Sequence, residues 1–322
     1  MHIGIDLGGT NIAAGLVDSE AKLICKMSTK TNCENGAESI IKDMVSLIKN
    51  LLEKNKLVID DIELIGIGVP GLVDYENGIV KECVNLYWKN IKLREILKTE
   101  LNNVFEKDIN INILIENDAN AAAGGEYLAG SMKNHKNSFM VTLGTGVGGG
   151  LLLDGKIYRG KNGIAFEIGH MTLGENFYNC SCGNNGCFET FASATAIIKY
   201  AQKLINEGMN SRIMELVNEE VNKIDAKVVF DCAKEGDKVA NLVIDRFVKY
   251  LAIGINNLLS IMDVDLISIG GGVSAAWDFF EDKLIDEINK YKLYKEIPLC
   301  KMEKATLGND AGIIGAAMLD II

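Results

Sequence analysis

The segment Ile3-Gly4-Ile5-Asp6-Leu7-Gly8-Gly9-Thr10-Asn11-Ile12-Ala13-Ala14-Gly15-Leu16-Val17 sets two apolar, strand-like runs on either side of a Gly-Gly-Thr turn. Adjacent glycines let the backbone turn tightly and present N–H groups to an anion, and Thr10 adds a hydroxyl donor. The turn joins strand to strand, so it is neither a Walker loop nor a dinucleotide fingerprint, both of which open a helix. A plain hairpin needs nothing more. Asp6, at a strand end where it could face a metal-bound phosphate, tilts the reading towards a phosphate turn. The same setting returns where Phe139–Leu143 runs into Gly144-Thr145-Gly146-Val147-Gly148-Gly149-Gly150 and then into the strand Leu151–Leu153, with five glycines in those seven residues. Two copies of strand, Gly-Thr turn and strand predict an internally duplicated α/β architecture with two phosphate loops facing each other across a cleft.

Between the copies, Leu23–Ser28 reads as a third strand and Ala37–Leu52 as an amphipathic helix, with apolar residues at helical spacing. Ile62–Val69 is a buried strand ending in Pro70-Gly71-Leu72-Val73-Asp74, a rigid loop at a strand's carboxyl end, where open α/β sheets bind ligands. A simple turn fits those residues equally well. Val84–Asn90 reads as a loop and Leu93–Phe105 as a helix. The strand Ile111–Ile115 then leads through Glu116-Asn117-Asp118-Ala119-Asn120 into an alanine-rich helix start. Asp118 could be a helix cap. Four polar residues in five exceed what a cap requires, and an Asp at such a mouth can accept a proton from a substrate hydroxyl.

The segment from Glu167 to Glu189 carries His170, Cys180, Cys182 and Cys187 within eighteen residues. One imidazole and three thiols supply the four donors of a closed tetrahedral zinc site. The bracketing glutamates, Glu167 and Glu189, have no place in a purely structural knuckle. Beyond it, Ser193–Ile205 and Val239–Ile261 read as helices, and 206–238 as polar helices and turns. Leu266–Ile269 is a strand ending in Gly270-Gly271-Gly272, backbone on which a flat ring can lie. Leu307-Gly308-Asn309-Asp310 opens a small-residue helix.

A length of 322 residues predicts two lobes of domain size, and the net charge of −11 argues against nucleic-acid or anionic-membrane partners. The chain opens into a strand without a basic, then apolar leader, and no apolar run reaches the ~18–20 residues of a membrane span. Eight cysteines in such a chain suggest reduced thiols, so a cytoplasmic location is expected.

Taken in order, these motifs cover essentially the whole chain. The sequence resembles the ROK family of bacterial sugar kinases and repressors, within the actin-like ATPase and hexokinase superfamily. The resemblance implies a two-lobed, ribonuclease H-like α/β fold with an internally duplicated mixed sheet-helix core and a zinc knuckle. The small lobe would be 1–118 plus 306–322, and the large lobe 119–305 with the zinc segment 167–189. It implies an ATP-dependent kinase, most similar to glucokinases, in which Asp118 is the general base towards a sugar 6-hydroxyl. Gly71, Asn117, Glu167, His170 and Glu189 would join Asp118 in gripping the sugar. Asp6 would hold Mg²⁺ or its waters, with Gly8, Gly9, Thr10, Asn11, Gly144, Thr145 and Gly146 around the phosphates and Gly270, Gly271 and Gly272 against the adenosine of ATP. His170, Cys180, Cys182 and Cys187 would hold structural Zn²⁺, leaving the second His170 nitrogen for the sugar. The Ile164-Ala165-Phe166 run departs from the glycine-containing run common in the glucokinases, so N-acetylmannosamine, N-acetylglucosamine, fructose, allose and β-glucosides stay open beside glucose. The repressors carry a winged helix-turn-helix ahead of the first phosphate loop, for which the six residues up to Asp6 leave no room. A non-catalytic sugar sensor is the alternative of another class. The family also implies a homodimer or homotetramer.

Overall fold

The computed structural model describes residues 1–322. Its first half runs β1 (His2–Leu7), β2 (Asn11–Val17), β3 (Leu23–Lys30), α1 (Gly36–Asn55), β4 (Leu64–Val69), β5 (Leu72–Asp74), β6 (Ile79–Cys83), β7 (Trp88–Ile91), α2 (Leu93–Phe105), β8 (Asn112–Asn117) and α3 (Asp118–Ala129). Then follow β9 (Ser138–Leu143), β10 (Val147–Leu153), β11 (Lys156–Ile157), α4 (Glu189–Ala192), α5 (Ala194–Asn206), α6 (Arg212–Leu216), α7 (Ala226–Lys234), α8 (Lys238–Leu259), β12 (Leu266–Gly270), α9 (Trp277–Tyr291), β13 (Lys301–Lys304) and α10 (Asp310–Ala317). No helix is long and apolar enough to cross a membrane.

Duplication is visible in strand order. One five-stranded sheet is ordered β3-β2-β1-β4-β8 and the other β11-β10-β9-β12-β13. In each, a leading strand has its two successors on one side and two later strands on the other, and a Gly-Thr turn follows that leading strand. In the first sheet β1 pairs antiparallel with β2 and parallel with β4, which pairs parallel with β8. Asp6 therefore lies in register with Gly68, Gly68 with Glu116, and Val69 with Asn117, so the carboxyl ends of three neighbouring strands carry the acidic and amide residues.

Two predicted segments differ from the structure. The glycine run was expected to be loop through Gly150, but β10 begins at Val147, so only Gly144–Gly146 turns. Extended backbone accommodates glycine when neighbours press close, and the flanking Val and Leu carry the strand pattern. Val84–Asn90, expected as loop, forms a short 3₁₀ turn at Val84–Leu86 and the start of β7, the edge of a three-stranded β5-β6-β7 sheet. Trp88 is buried there, and its side chain anchors a strand that the surrounding polar residues disguise.

Contacts divide the chain into two compact units, one of 1–140, 150–166 and 305–322, the other of 141–149 and 167–304. In the first, Ile40, Ile41, Met44, Ile48 and Leu51 of α1 pack on Ile3, Ile5 and Ile65, with Leu97 and Leu101 of α2 in the same core. On its other side α10 lies tight against the sheet and α3: a Cβ at Gly4 would stand 1.9 Å from the Ile313 carbonyl oxygen, and one at Gly315 1.7 Å from that of Ala121. Buried Glu126 of α3 ties down the approach to α10, accepting the Leu307 N–H at 2.7 Å. The second unit is built on α7, α8 and α9, where Phe230, Phe247, Trp277 and Phe280 interlock edge to face and tilted at 5.4–6.1 Å.

Candidate functional site

The first unit collects its polar residues where β1, β4 and β8 end. Asn117 is the N-cap of α3: its Oδ1 accepts the N–H of Ala119 at 2.9 Å and of Asn120 at 3.2 Å, and its Nδ2 donates to the Gly71 carbonyl at 3.2 Å. Capping is thus done by Asn117, which frees Asp118 from that job. The Asp118 Oδ1 is oriented by the Ala119 N–H at 2.9 Å. Burial pushes the Asp118 carboxyl above the ordinary aspartate range. Asp6 is pushed up to about 6, first by burial and then by the charge of Asp118. The strand between them offers only Gly68, whose missing side chain leaves the two carboxylates in electrical contact.

Gly8, Gly9, Thr10 and Asn11 form the turn after β1, half-buried at Gly8 and exposed beyond it. The Thr31 hydroxyl donates to the Gly8 carbonyl at 2.8 Å, and the Thr31 N–H to the Thr10 carbonyl at 2.8 Å, so the residue that follows β3 holds the turn from outside. Behind Asn117, buried Glu116 accepts from Arg159, from Asn120 at 3.1 Å and from the Asn117 N–H at 2.9 Å, and the Arg159 guanidinium lies 4.2 Å over the Tyr75 ring. This ion pair was not foreseen. An acid among Ile113 and Ile115 signals a need for a partner, but nothing in sequence joins it to position 159.

In the second unit four predicted groups converge on Leu143–Val147. Glu189 reaches the loop, where its Oε2 accepts the Val147 N–H at 3.2 Å. A Cβ at Gly146 would stand 2.0 Å from that same oxygen, so the glycine is what admits the carboxylate. The 3₁₀ turn Ile168–His170, which Glu167 begins by accepting the His170 N–H at 3.1 Å, backs onto the strand start, with a Cβ at Gly169 falling 2.1 Å from the Val147 carbonyl oxygen. Gly271, at φ 79°, lets its backbone press on Leu143, where a Cβ would sit 2.4 Å from the carbonyl oxygen. Gly270 is buried at the end of β12, while Gly271 and Gly272 are exposed beside the loop. The amino end of α5 completes the frame: the Ala194 N–H donates to the Gly144 carbonyl and the Thr195 hydroxyl to the Thr145 carbonyl, at 2.8 and 2.7 Å.

The donor atoms of His170, Cys180, Cys182 and Cys187 all lie within 4.8 Å of one another. Tetrahedral zinc, with Zn–S of about 2.3 Å and Zn–N of about 2.0 Å, requires ligand separations of about 3.5–3.8 Å. The Cys182 and Cys187 sulfurs are 3.6 Å apart, and Cys180 Sγ is 3.7 Å from His170 Nδ1. The cluster fits zinc. Because Nδ1 faces the sulfurs, Nε2 is the nitrogen left over. The Asn184 N–H, more than any other group, holds the Cys182 thiol down to about 7, whereas burial pushes the Cys180 and Cys187 thiols up, so those two need a cation beside them to ionise.

The model of the ROK family matches residues 2–321. The glucokinase of Halalkalibacterium halodurans is 34% identical over 99% of this chain and 94% of its own. The xylose repressor of Caldicellulosiruptor bescii is 31% identical over 99% of this chain and 77% of its own. A ROK family glucokinase from Streptomyces griseus, solved with glucose and AMPPNP, superposes with a TM-score of 0.81 at 31% identity, covering 99% of this chain and 98% of that one. With the match running through every glycine turn, the Asn117-Asp118 helix start and the Cys-His cluster, the chain belongs to the ROK family and has its actin-like ATPase fold.

Proposed function

We propose that this protein is an ATP-dependent hexose kinase that phosphorylates the 6-hydroxyl of glucose, with Asp118 as the general base. The observation that carries the reading is the start of α3, where Asn117 caps the helix and Asp118 is left with a carboxyl that burial has made more basic. A base with a raised pKa accepts a hydroxyl proton more readily near neutral pH. Phosphoryl transfer is otherwise a matter of positioning and charge neutralisation. Gly71, Asn117, Glu167, His170 and Glu189 hold sugar hydroxyls, since carboxylates and amides can each engage more than one. Gly8, Gly9, Thr10 and Asn11 and the turn of Gly144, Thr145 and Gly146 offer N–H and hydroxyl donors to phosphate oxygens. Gly270, Gly271 and Gly272 provide backbone for the adenosine.

Asp6 suits Mg²⁺ on electrostatic grounds, because its carboxyl is made unfavourable as an anion both by burial and by Asp118, and a divalent cation offsets both. Bound Mg²⁺ supplies neutralisation of the charge on the transferred phosphoryl group. Zinc held by His170 and the three cysteines would be structural, with all four donors from protein, and would fix the tautomer of His170, leaving Nε2 for the sugar. Glucose is favoured by the similarity to glucokinases, that of Halalkalibacterium halodurans among them. N-acetylmannosamine, N-acetylglucosamine and fructose are the alternatives within the family. The assembly is taken to be a homodimer or homotetramer, which sedimentation equilibrium checks.

The test is ATP-dependent turnover across glucose, N-acetylmannosamine, N-acetylglucosamine, fructose and allose, compared by kcat/KM. Glucose leads, and Asp118→Asn lowers turnover on every sugar by at least about 10²-fold. Sugar binding by calorimetry without turnover in wild type would replace the kinase with a sugar sensor.

A further inference from the structure

Arg246 of α8 is half-buried among aromatic rings. Its guanidinium carbon lies 4.5 Å from the Tyr200 ring centroid, 5.0 Å from those of Phe191 and Tyr250 and 5.8 Å from that of Phe177. Phe191 and Tyr250 are themselves stacked at 4.1 Å. Four aromatic rings surround the cation, and such a setting holds it most strongly when it is partly desolvated. The guanidinium spends one N–H on Asn176 Oδ1 at 2.9 Å.

Asn176 is where that hydrogen bond leads to the metal segment. Its Nδ2 donates to the carbonyl of Thr190 at 2.7 Å and to its hydroxyl at 2.9 Å. The Thr190 hydroxyl in turn donates to the Cys187 carbonyl at 2.7 Å. Glu189 lies between those two residues, and its side chain meets Val147 and the Cys180 thiol. Between 174 and 185 the segment has little apolar burial to hold it, since Gly174, Glu175, Phe177, Asn179 and 181–185 are exposed, while Cys187 and Phe188 beyond it are buried. The exposed stretch is therefore held by polar contacts, Asn176 and the Tyr178 hydroxyl both donating to Thr190, against an end that Phe188 seats in the core.

We propose that Arg246 is a positioning residue for the sugar subsite, fixing Glu189 and the Cys187 ligand through Asn176 and Thr190. What Glu189 does for the substrate rests on the kinase reading; the anchoring of the loop does not. Arg246 is not one of the four clustered metal donors and acts through Asn176.

Three variants test this: Arg246→Met, Arg246→Lys and Asn176→Ala, the last cutting the relay with the aromatic cage intact. Each is assayed for sugar KM, ATP KM, kcat, and the rate at which a chromogenic chelator strips zinc. Met and Ala are expected to raise sugar KM about tenfold, the scale of a lost charged hydrogen bond, with kcat and ATP KM within about twofold and faster zinc loss. Lys, which keeps the cation, falls between. An unchanged sugar KM and zinc-loss rate in Asn176→Ala overturns the proposal, as does an equal decline of ATP and sugar kinetics in Arg246→Met. If wild type phosphorylates no sugar, the kinase reading fails, and the zinc-loss rates alone still decide whether Arg246 anchors the loop.

Discussion

Glu189 Oε2 accepts the Val147 N–H at 3.2 Å, so the carboxylate nearest the Cys-His cluster is also clipped to the strand that leaves the second Gly-Thr turn. Gly146 makes that contact possible, and its substitution reads it out. In Gly146→Ala the new Cβ would fall 2.0 Å from Oε2, the far end of a flexible side chain, so Glu189 moves and the backbone stays. The expected result is a sugar KM raised about tenfold with a melting temperature within a few degrees of wild type, as the displaced group is polar and outside the core. Kinetics paired with calorimetry check it; a large drop in melting temperature would mean that the backbone gave way instead.

Asn117 and Asp118 are adjacent but do different work, and their variants should separate. Asn117→Ala removes the acceptor for two helix N–H groups and costs about 1 kcal/mol of stability, the usual worth of a cap. Asp118→Asn leaves the cap in place and removes the proton acceptor. Its kcat should fall by at least about 10²-fold, the lower range for a general base, with sugar affinity by calorimetry nearly unchanged. Urea denaturation of both variants supplies the contrast: a destabilised Asp118→Asn with full kcat would reverse the assignment.

Asp6 gives stability a pH dependence of known sign. Its carboxyl rises from the ordinary 3.8 to about 6 in the folded protein, mainly through burial. Between those values the folded state binds more protons than the unfolded chain, so stability falls as pH rises through that window and stays lower above it. The raised carboxyl of Asp118 acts in the same direction. Asp6→Asn is therefore expected to be more stable than wild type at about pH 7.5, with the difference vanishing below about pH 4, while its activity is lost throughout. Urea midpoints across that range decide; a variant less stable than wild type at neutral pH would contradict the electrostatics.

The site was legible where chemistry is local. Glycine pairs at strand ends, an Asp at a helix start and a His with three close cysteines each announce themselves within a few residues, and the structure puts Gly8 and Gly9 after β1, Asp118 at the start of α3 and the four metal donors in one cluster. What the sequence hid depends on pairs far apart. Glu116 with Arg159 and Asn176 with Arg246 are separated by 43 and 70 positions. No spacing rule reaches them, because tertiary packing chooses the partner. Gly148–Gly150 misled for the opposite reason: glycine composition reads as loop, yet all three lie in β10, and at Gly150 a Cβ would stand 2.8 Å from the Ala119 carbonyl oxygen, so extended chain demands the same residue.

Phe166 shows that a residue out of pattern can keep the pattern's geometry. Its φ is 65°, a conformation that glycine adopts freely and that a bulky side chain resists. The ring is accommodated against buried Phe139, with centroids 5.3 Å apart, so within its own unit the side chain has a core contact that offsets the backbone strain. Both halves of that balance can be measured. Phe166→Ala and Phe166→Gly lose the ring equally, but alanine retains the left-handed cost of roughly 1 kcal/mol that glycine escapes. Phe166→Gly is thus expected to melt above Phe166→Ala despite the greater flexibility of its unfolded chain, and to keep the sugar KM of wild type more closely. Thermal denaturation of the pair checks the order. Equal melting temperatures would show that the left-handed backbone at 166 is not what the ring is holding.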